Sequence, residues 1–439
     1  MAEKKAFGLW SAVFIGLGSM VGAGIFIVIG QAGAIAGNIV WVSFIFGGIL
    51  ALLSGYSLAK LAIRYPSRGG IIEYLVQAYG EGIFSGAAGV LFYLSQLIAI
   101  AAVAKSFGVY AATFMHGSNL VFWANAYAIG VVALFTLINL VGAAVVAKSE
   151  NIIVIIKLTI LIAFAIIALF SINPKLLSTA DMPPLNNMLF AIGITFFAYQ
   201  GFSVITNTVE DMTQPEKNML KAMVISILMV AGLYIITSIA VLGNLPLSKV
   251  ISAKDYALAE AARPILGAIG FKIIAATALL ATASAINATL YATTEIGYTL
   301  AKEGDLPEVY DRNIFHSYEG LIVSALIVIP MLLFFNLSQI TTVAALAVLI
   351  IQGLTHIGHL LKIKETGASL WLVLLAVAVT LSVIVLTLIY TSKSMPDLIY
   401  YILGAFVLSA LFELALRLFS GRIIRKQITG FIEKMEQKI

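Results

Sequence analysis

The stretch Gly18-Ser19-Met20-Val21-Gly22-Ala23-Gly24-Ile25-Phe26 places three glycines within seven residues of an apolar run. Glycine is unfavourable inside a helix by about 1 kcal/mol relative to alanine. A spanning helix with three of them either opens at this point or packs closely on a neighbour, since Gly18-x-x-x-Gly22 also fits a small-xxx-small interface. A second stretch shifts the balance towards opening. Thr195-Phe196-Phe197-Ala198-Tyr199-Gln200-Gly201-Phe202-Ser203 interrupts another apolar run five spans later. Paired interruptions in corresponding positions of two halves point to a transporter built from inverted repeats. There the unwound backbone faces a central cavity, so a substrate can satisfy its free groups. Helix N-termini attract carboxylates and free carbonyls attract ammonium groups, so one such site suits a zwitterion.

The whole composition agrees with a membrane location. Of 439 residues, 61% are hydrophobic and 11% charged, against about 45–50% and about 25% in soluble proteins. The mean hydropathy is +1.04. These values exclude a soluble enzyme, a nucleic-acid binder and a single-span receptor. The fold class expected is an all-α integral membrane protein with twelve spans, near 10–36, 39–63, 83–112, 121–146, 151–172, 187–209, 219–243, 270–300, 320–336, 340–361, 368–391 and 397–419. One long external loop, 244–269, opens on Asn244-Leu245-Pro246 and is expected to hold short helices over the outer mouth.

With the N-terminus inside, 18 Lys and Arg fall on the inner side, 6 on the outer side, and Lys105 and Lys157 within spans. This bias places both termini in the cytoplasm. The pI of about 9.1 then reflects loop charge rather than affinity for nucleic acid. Trp10 beside the first span, preceded by Lys4 and Lys5, leaves no cleavable signal. There is no cysteine, which removes disulfides, thiolate metal sites and cysteine catalysis. His356 and His359, beside Lys362 and Lys364, read as ordinary interfacial residues and not as a metal pair, so neither metal nor cofactor is expected. The basic and apolar residues from Arg417 to Ile439 read as an amphipathic anchor on anionic lipid.

An ionisable group inside a span is a functional candidate by default. Lys157 lies about 9 Å along its helix from Asn151, among Ile152, Ile153, Val154, Ile155, Ile156, Leu158 and Ile160. It cannot stay charged there without acceptors or water, and a group so poised can load and release a proton. Lys105, in the outer half of span three, reads as snorkelling or contacting lipid. Glu295, near the inner end of span eight, is a possible gate. Glu413 and Arg417 are spaced for an i,i+4 ion pair.

At these residues the sequence resembles the amino acid–polyamine–organocation superfamily of transporters. The motifs, in order, are Gly18-Ser19-x-x-Gly22-x-Gly24-Ile25-Phe26, Pro66-Ser67-Arg68-Gly69-Gly70 with Glu73-Tyr74, Phe197 to Phe202 running on to Glu210-Asp211-Met212-Thr213-Gln214-Pro215, and Asn287 leading to Ala301-Lys302-Glu303-Gly304-Asp305-Leu306-Pro307. Each is weak alone; four in this order are specific. The segment Asn151 to Thr159 with Lys157 is most similar to archaeal proton-coupled members.

The resemblance implies a LeuT-type fold with helices one and six broken. Residues 1–172 and 187–361 would be two inverted repeats of five spans, 368–419 two further helices and 420–439 a cytoplasmic tail. It also implies that Ser19, Met20, Val21, Gly22, Ala23 and Gly24 bind the substrate α-carboxylate. The carbonyls of Phe196, Phe197 and Ala198 would take the α-ammonium, and Phe196 or Phe197 would close over the substrate. Lys157 would occupy the place of a sodium ion in sodium-coupled relatives. It would contact the carbonyl near Gly18 and a hydroxyl of Thr282 or Ser284, with the register between these open and Ala281 a third alignment that supplies no hydroxyl. The implied partners are an amino acid, protons and lipid. No Asp or Glu lies near the two interruptions. A polyamine or dibasic substrate would call for one, so small neutral amino acids are favoured.

A channel would usually show a filter loop or charge rings, and an embedded enzyme would show a catalytic cluster; neither pattern is in the sequence. An exchanger of the same fold, or a sensor that binds without carrying, shares every motif named.

Overall fold

The computed structural model describes residues 8–22, 24–67, 69–115, 119–141, 144–178, 183–303 and 306–420, apart from the side chains of 144–151, 303, 412 and 416–420. Ala23, Arg68, Gly304, Asp305, the tail beyond Ser420 and the Arg417 side chain lie outside what is described. So do the tail anchor and the Glu413–Arg417 pairing.

The chain is built from helices because a lipid-facing backbone must satisfy its hydrogen bonds internally. In order they are α1 (Leu9–Met20), α2 (Gly24–Ala36), α3 (Val40–Arg64), α4 (Ile71–Tyr79), α5 (Ile83–Ala112), α6 (Leu120–Val141), α7 (Ala144–Phe170), α8 (Leu185–Tyr199), α9 (Pro215–Asn244), α10 (Leu247–Ser252), α11 (Ala257–Glu303), α12 (Glu319–Phe334), α13 (Leu337–Leu361), α14 (Ile363–Thr366), α15 (Leu370–Ser394) and α16 (Pro396–Ser420). A two-stranded antiparallel hairpin, β1 (Asn313–Ile314) and β2 (Ser317–Tyr318), precedes α12.

Among the described residues, ten helical stretches are long and apolar enough to cross a membrane. The first of these joins α2 to α3 across the turn Gly37–Ile39, and α1 and α12 are shorter apolar helices. Counting α1 with α2 as one broken pass gives the twelve passes expected. The turn needs glycine at 37, where φ is +65° and a side chain would also strike Pro183. α5 and α13 are mostly buried, whereas α6, α7, α15 and α16 turn most of their residues outward.

The two interrupted passes pack against each other. α1 packs on the segment after α8, and α2 packs on α8 itself. The expected loop helices are present: α10 and the start of α11, which kinks at Gly267 with φ +66°. They lie on α2 so closely that a side chain at Gly30 would meet the Lys254 carbonyl. Gln31 of α2 donates to Asp255 of that loop and accepts from Ser338 of α13. Burial pushes the Asp255 carboxyl above its usual range.

Two expectations about buried charge are corrected. Lys105 does not reach lipid: it is buried, and its Nζ donates to Asn125 Oδ1 and to the Leu332 carbonyl, both at 2.6 Å. Leu332 lies in the last turn of α12, where carbonyls lack helical partners and favour a cation. His356 and His359 are also fully buried in the protein rather than turned to its surface. Ser54, His356, Ser57, His359 and Thr366 form one chain of hydrogen bonds 2.8–3.0 Å long, tying α3 to α13 and α14. At the same end the Tyr65 hydroxyl donates to Glu365 at 2.6 Å. That bond, helped by Lys362, holds Glu365 below the usual carboxylate range, while burial and Glu365 push Tyr65 up to about 12.

Candidate functional site: the cavity between two broken helices

α1 ends at Met20, with the Val21 N–H still bonded to the Leu17 carbonyl at 2.9 Å, and α2 begins at Gly24. The glycine-rich stretch therefore opens between Met20 and Gly24. α8 ends at Tyr199 and continues as a 3₁₀ helix from Gln200 to Thr208. Nine residues is long for that geometry, which seldom exceeds three or four and marks strain or a hinge inside a pass.

Each break is fitted to the other through glycine. A side chain at Gly24 would meet the Ala198 carbonyl and come within 2.8 Å of the Tyr234 hydroxyl. One at Gly201 would fall 2.5 Å from the Met20 nitrogen and 2.7 Å from Ser19 Oγ. Gly22 lies against Ala285 of α11, where a Cβ would be 3.0 Å from the alanine methyl.

Tyr234 of α9 links the two breaks. Its hydroxyl stands 2.7 Å from the Met20 carbonyl and 3.2 Å from the Ala198 carbonyl, near the C-terminal ends of α1 and α8. The ring is held between Phe44 and Tyr199, at centroid distances of 5.7 and 5.2 Å. Tyr199 in turn donates to the Phe44 carbonyl at 2.9 Å.

Between the breaks lies a cavity of about 110 Å³. An engineered cavity of about 150 Å³ takes benzene, so this space suits a small molecule. Its walls are Ser19, Met20 and Gly24 from the first break, and Phe197, Ala198, Gln200, Gly201, Ser203 and Val204 from the second. α5 adds Gln96, Ala99 and Val103, and α11 adds Ala285 and Thr289. None of these side chains ionises. Of the two phenylalanines left open above, Phe197 reaches the cavity, whereas Phe196 is buried against Phe202 with ring centroids 6.3 Å apart.

Lys157 is fully buried on α7, and its Nζ donates to the Gly18 carbonyl at 2.8 Å. Val154, one turn earlier on the same face, packs so close that a Cβ at Gly18 would be 2.8 Å from its methyl. Glycine at 18 thus lets α7 approach and leaves a carbonyl for the lysine. Thr282 and Ser284 are both buried on α11, and Thr282 spends its hydroxyl on the Ala278 carbonyl at 2.7 Å. Two residues apart on a helix point to nearly opposite sides, so only one of them can face α7.

The sequence pattern of amino acid permeases matches residues 7–409. The chain belongs to the amino acid permease family. The permease is 36% identical to the uncharacterized protein MJ0609 of Methanocaldococcus jannaschii, over 94% of this chain and 96% of that one. It is 35% identical to the inner membrane transport protein YbaT of Escherichia coli, over 94% and 97%. It is 26% identical to the serine/threonine exchanger SteT of Bacillus subtilis, over 69% and 70%. Amino-acid transport by a multi-pass membrane protein follows from this membership.

Glu295 is separate from the cavity of the permease. It is exposed, beside a polar surface pocket that Asn139, Tyr291, His316 and Tyr318 also line near the β1–β2 hairpin. The sequence reading missed Tyr234, Gln96 and Thr289. Gln96 and Thr289 carried a signal, as polar side chains within apolar spans. Tyr234 carried none, because a tyrosine in a span fits a membrane-interface role equally well.

Proposed function

We propose that this permease is a secondary active transporter that imports small neutral L-amino acids by proton symport through alternating access. The observation that carries the reading is the cavity itself: two interrupted helices meet there, and none of the described side chains that line it ionises. At the start of α2 the first N–H groups have no helical partner and carry partial positive charge. In this reading they take the α-carboxylate, with Ser19 through Gly24 around it. The Phe196, Phe197 and Ala198 carbonyls take the α-ammonium and Phe197 closes the site. An ionised substrate side chain would find no countercharge, which favours neutral amino acids.

Lys157 is the proton carrier in this account. Protonated, it holds α7 to α1 through the Gly18 carbonyl, with Thr282 or Ser284 completing the contact. Deprotonated, it relaxes that contact, and the passes of 1–172 and 187–361, as two inverted repeats, rock to the other state. The protein sits in the cell membrane with both termini in the cytoplasm, as the Lys and Arg bias supports. The name of SteT favours a second reading, exchange of one amino acid for another without net proton movement.

The test of substrate class is uptake of labelled L-alanine into proteoliposomes, with unlabelled competitors. Serine, alanine or threonine is expected to compete and arginine and putrescine to fail. Stronger competition by arginine or putrescine than by alanine would overturn the neutral assignment.

A further inference from the structure

The carboxamide oxygen of Gln200 is buried and has no hydrogen-bond partner among the described residues. It belongs to the first residue of the 3₁₀ segment, at the wall of the central cavity. Ser203 does not serve it, since that hydroxyl donates to the Gln200 backbone carbonyl at 3.2 Å. Gln96 and Thr289 face the same space from α5 and α11. Besides Ser19, four polar, uncharged side chains therefore line a cavity of about 110 Å³, more than recognition of the backbone of an amino acid requires. A purely aliphatic substrate side chain would displace water from these groups and return nothing.

Resting on the transport reading above, we infer that Gln200 reads the substrate side chain, and that the preferred substrates are small amino acids bearing a hydroxyl. A hydroxyl both donates and accepts. It therefore satisfies the Gln200 carboxamide whichever way oxygen and nitrogen are turned, and has capacity left for Gln96, Ser203 or Thr289. Threonine and valine have nearly the same shape and differ in this one group, so their ratio isolates the hydrogen bond from size. Leaving one buried partner unpaired corresponds to about 5- to 150-fold in affinity.

The experiment is inhibition of labelled alanine uptake by threonine and by valine in proteoliposomes. In the wild-type protein threonine is expected to inhibit at a concentration lower than valine by roughly that factor. Gln200→Met keeps the length and apolar bulk of the side chain, removes the hydrogen bond, and should bring the ratio towards one. If alanine uptake is absent, in the variant or in the wild type, the same ratio is read from protection of the purified protein against thermal unfolding. Absent uptake in the wild type would count against the transport reading, while the protection ratio still decides the role of Gln200. A wild-type ratio near one, as when water serves the carboxamide, or a ratio that Gln200→Met leaves intact, would overturn the inference.

Discussion

Tyr234→Phe removes one oxygen atom and leaves the ring contacts with Phe44 and Tyr199 in place. What is lost is the hydroxyl between the Met20 and Ala198 carbonyls, at 2.7 and 3.2 Å. An intramolecular hydrogen bond contributes about 0.5–1.5 kcal/mol net, but a buried partner left unserved costs about 1–3 kcal/mol. The two carbonyls belong to different broken helices, so the loss falls on their mutual placement. If substrate needs both breaks in register, its affinity should fall about 5- to 150-fold. The assay is alanine binding to purified protein, paired with uptake in proteoliposomes. Tyr93→Phe is the control, since its hydroxyl meets Ser324 at 2.7 Å and Tyr310 at 3.3 Å, away from the cavity. It should lower the melting temperature with little change in affinity. A Tyr234→Phe protein that binds alanine as the wild type does would refute the clamp, whatever its stability.

Gly201→Ala places a methyl group 2.5 Å from the Met20 nitrogen, and so should abolish uptake while folded protein still reaches the membrane; near wild-type uptake would show that the breaks need not touch. Asp255→Asn keeps an acceptor for Gln31 and removes a carboxylate whose protonation burial favours. A raised folded-state value means that the aspartate stabilises only at low pH, and that this is lost as pH rises. The variant should therefore melt with the wild type below about pH 4, the unfolded aspartate value, and above it near neutrality. Equal melting temperatures at pH 7 would count against the burial of that carboxyl.

The two interruptions were legible because glycine clusters and polar residues are rare in apolar spans, and both opened where the sequence placed them. The all-helical, multi-pass fold followed from the hydropathy of the chain. Lys157 was legible for a related reason, a cation among isoleucines, whereas its approach to Gly18 came from the family resemblance alone. Lys105 looked the same by composition but was misread as lipid-facing. One of its two acceptors is the carbonyl of Leu332, more than two hundred residues away, and only the packing of α12 on α5 brings that helix end within reach. The histidines were misread because the nearby lysines suggested a membrane surface, whereas Ser54 and Ser57 of α3 supply the hydroxyls that allow their burial. Tyr234 is one of 17 tyrosines, and nothing local distinguishes it. Its role exists only because α9 crosses both breaks.

The most direct test of the central claim is accumulation of labelled alanine by proteoliposomes at fixed sodium, with the interior held alkaline or acidic relative to the outside. The account expects accumulation above the equilibrium level only with the interior alkaline, no response to an imposed sodium gradient, and loss of the pH-driven component in Lys157→Ala. Accumulation that follows sodium, or a Lys157→Ala protein that still concentrates alanine under an inward proton gradient, would contradict it.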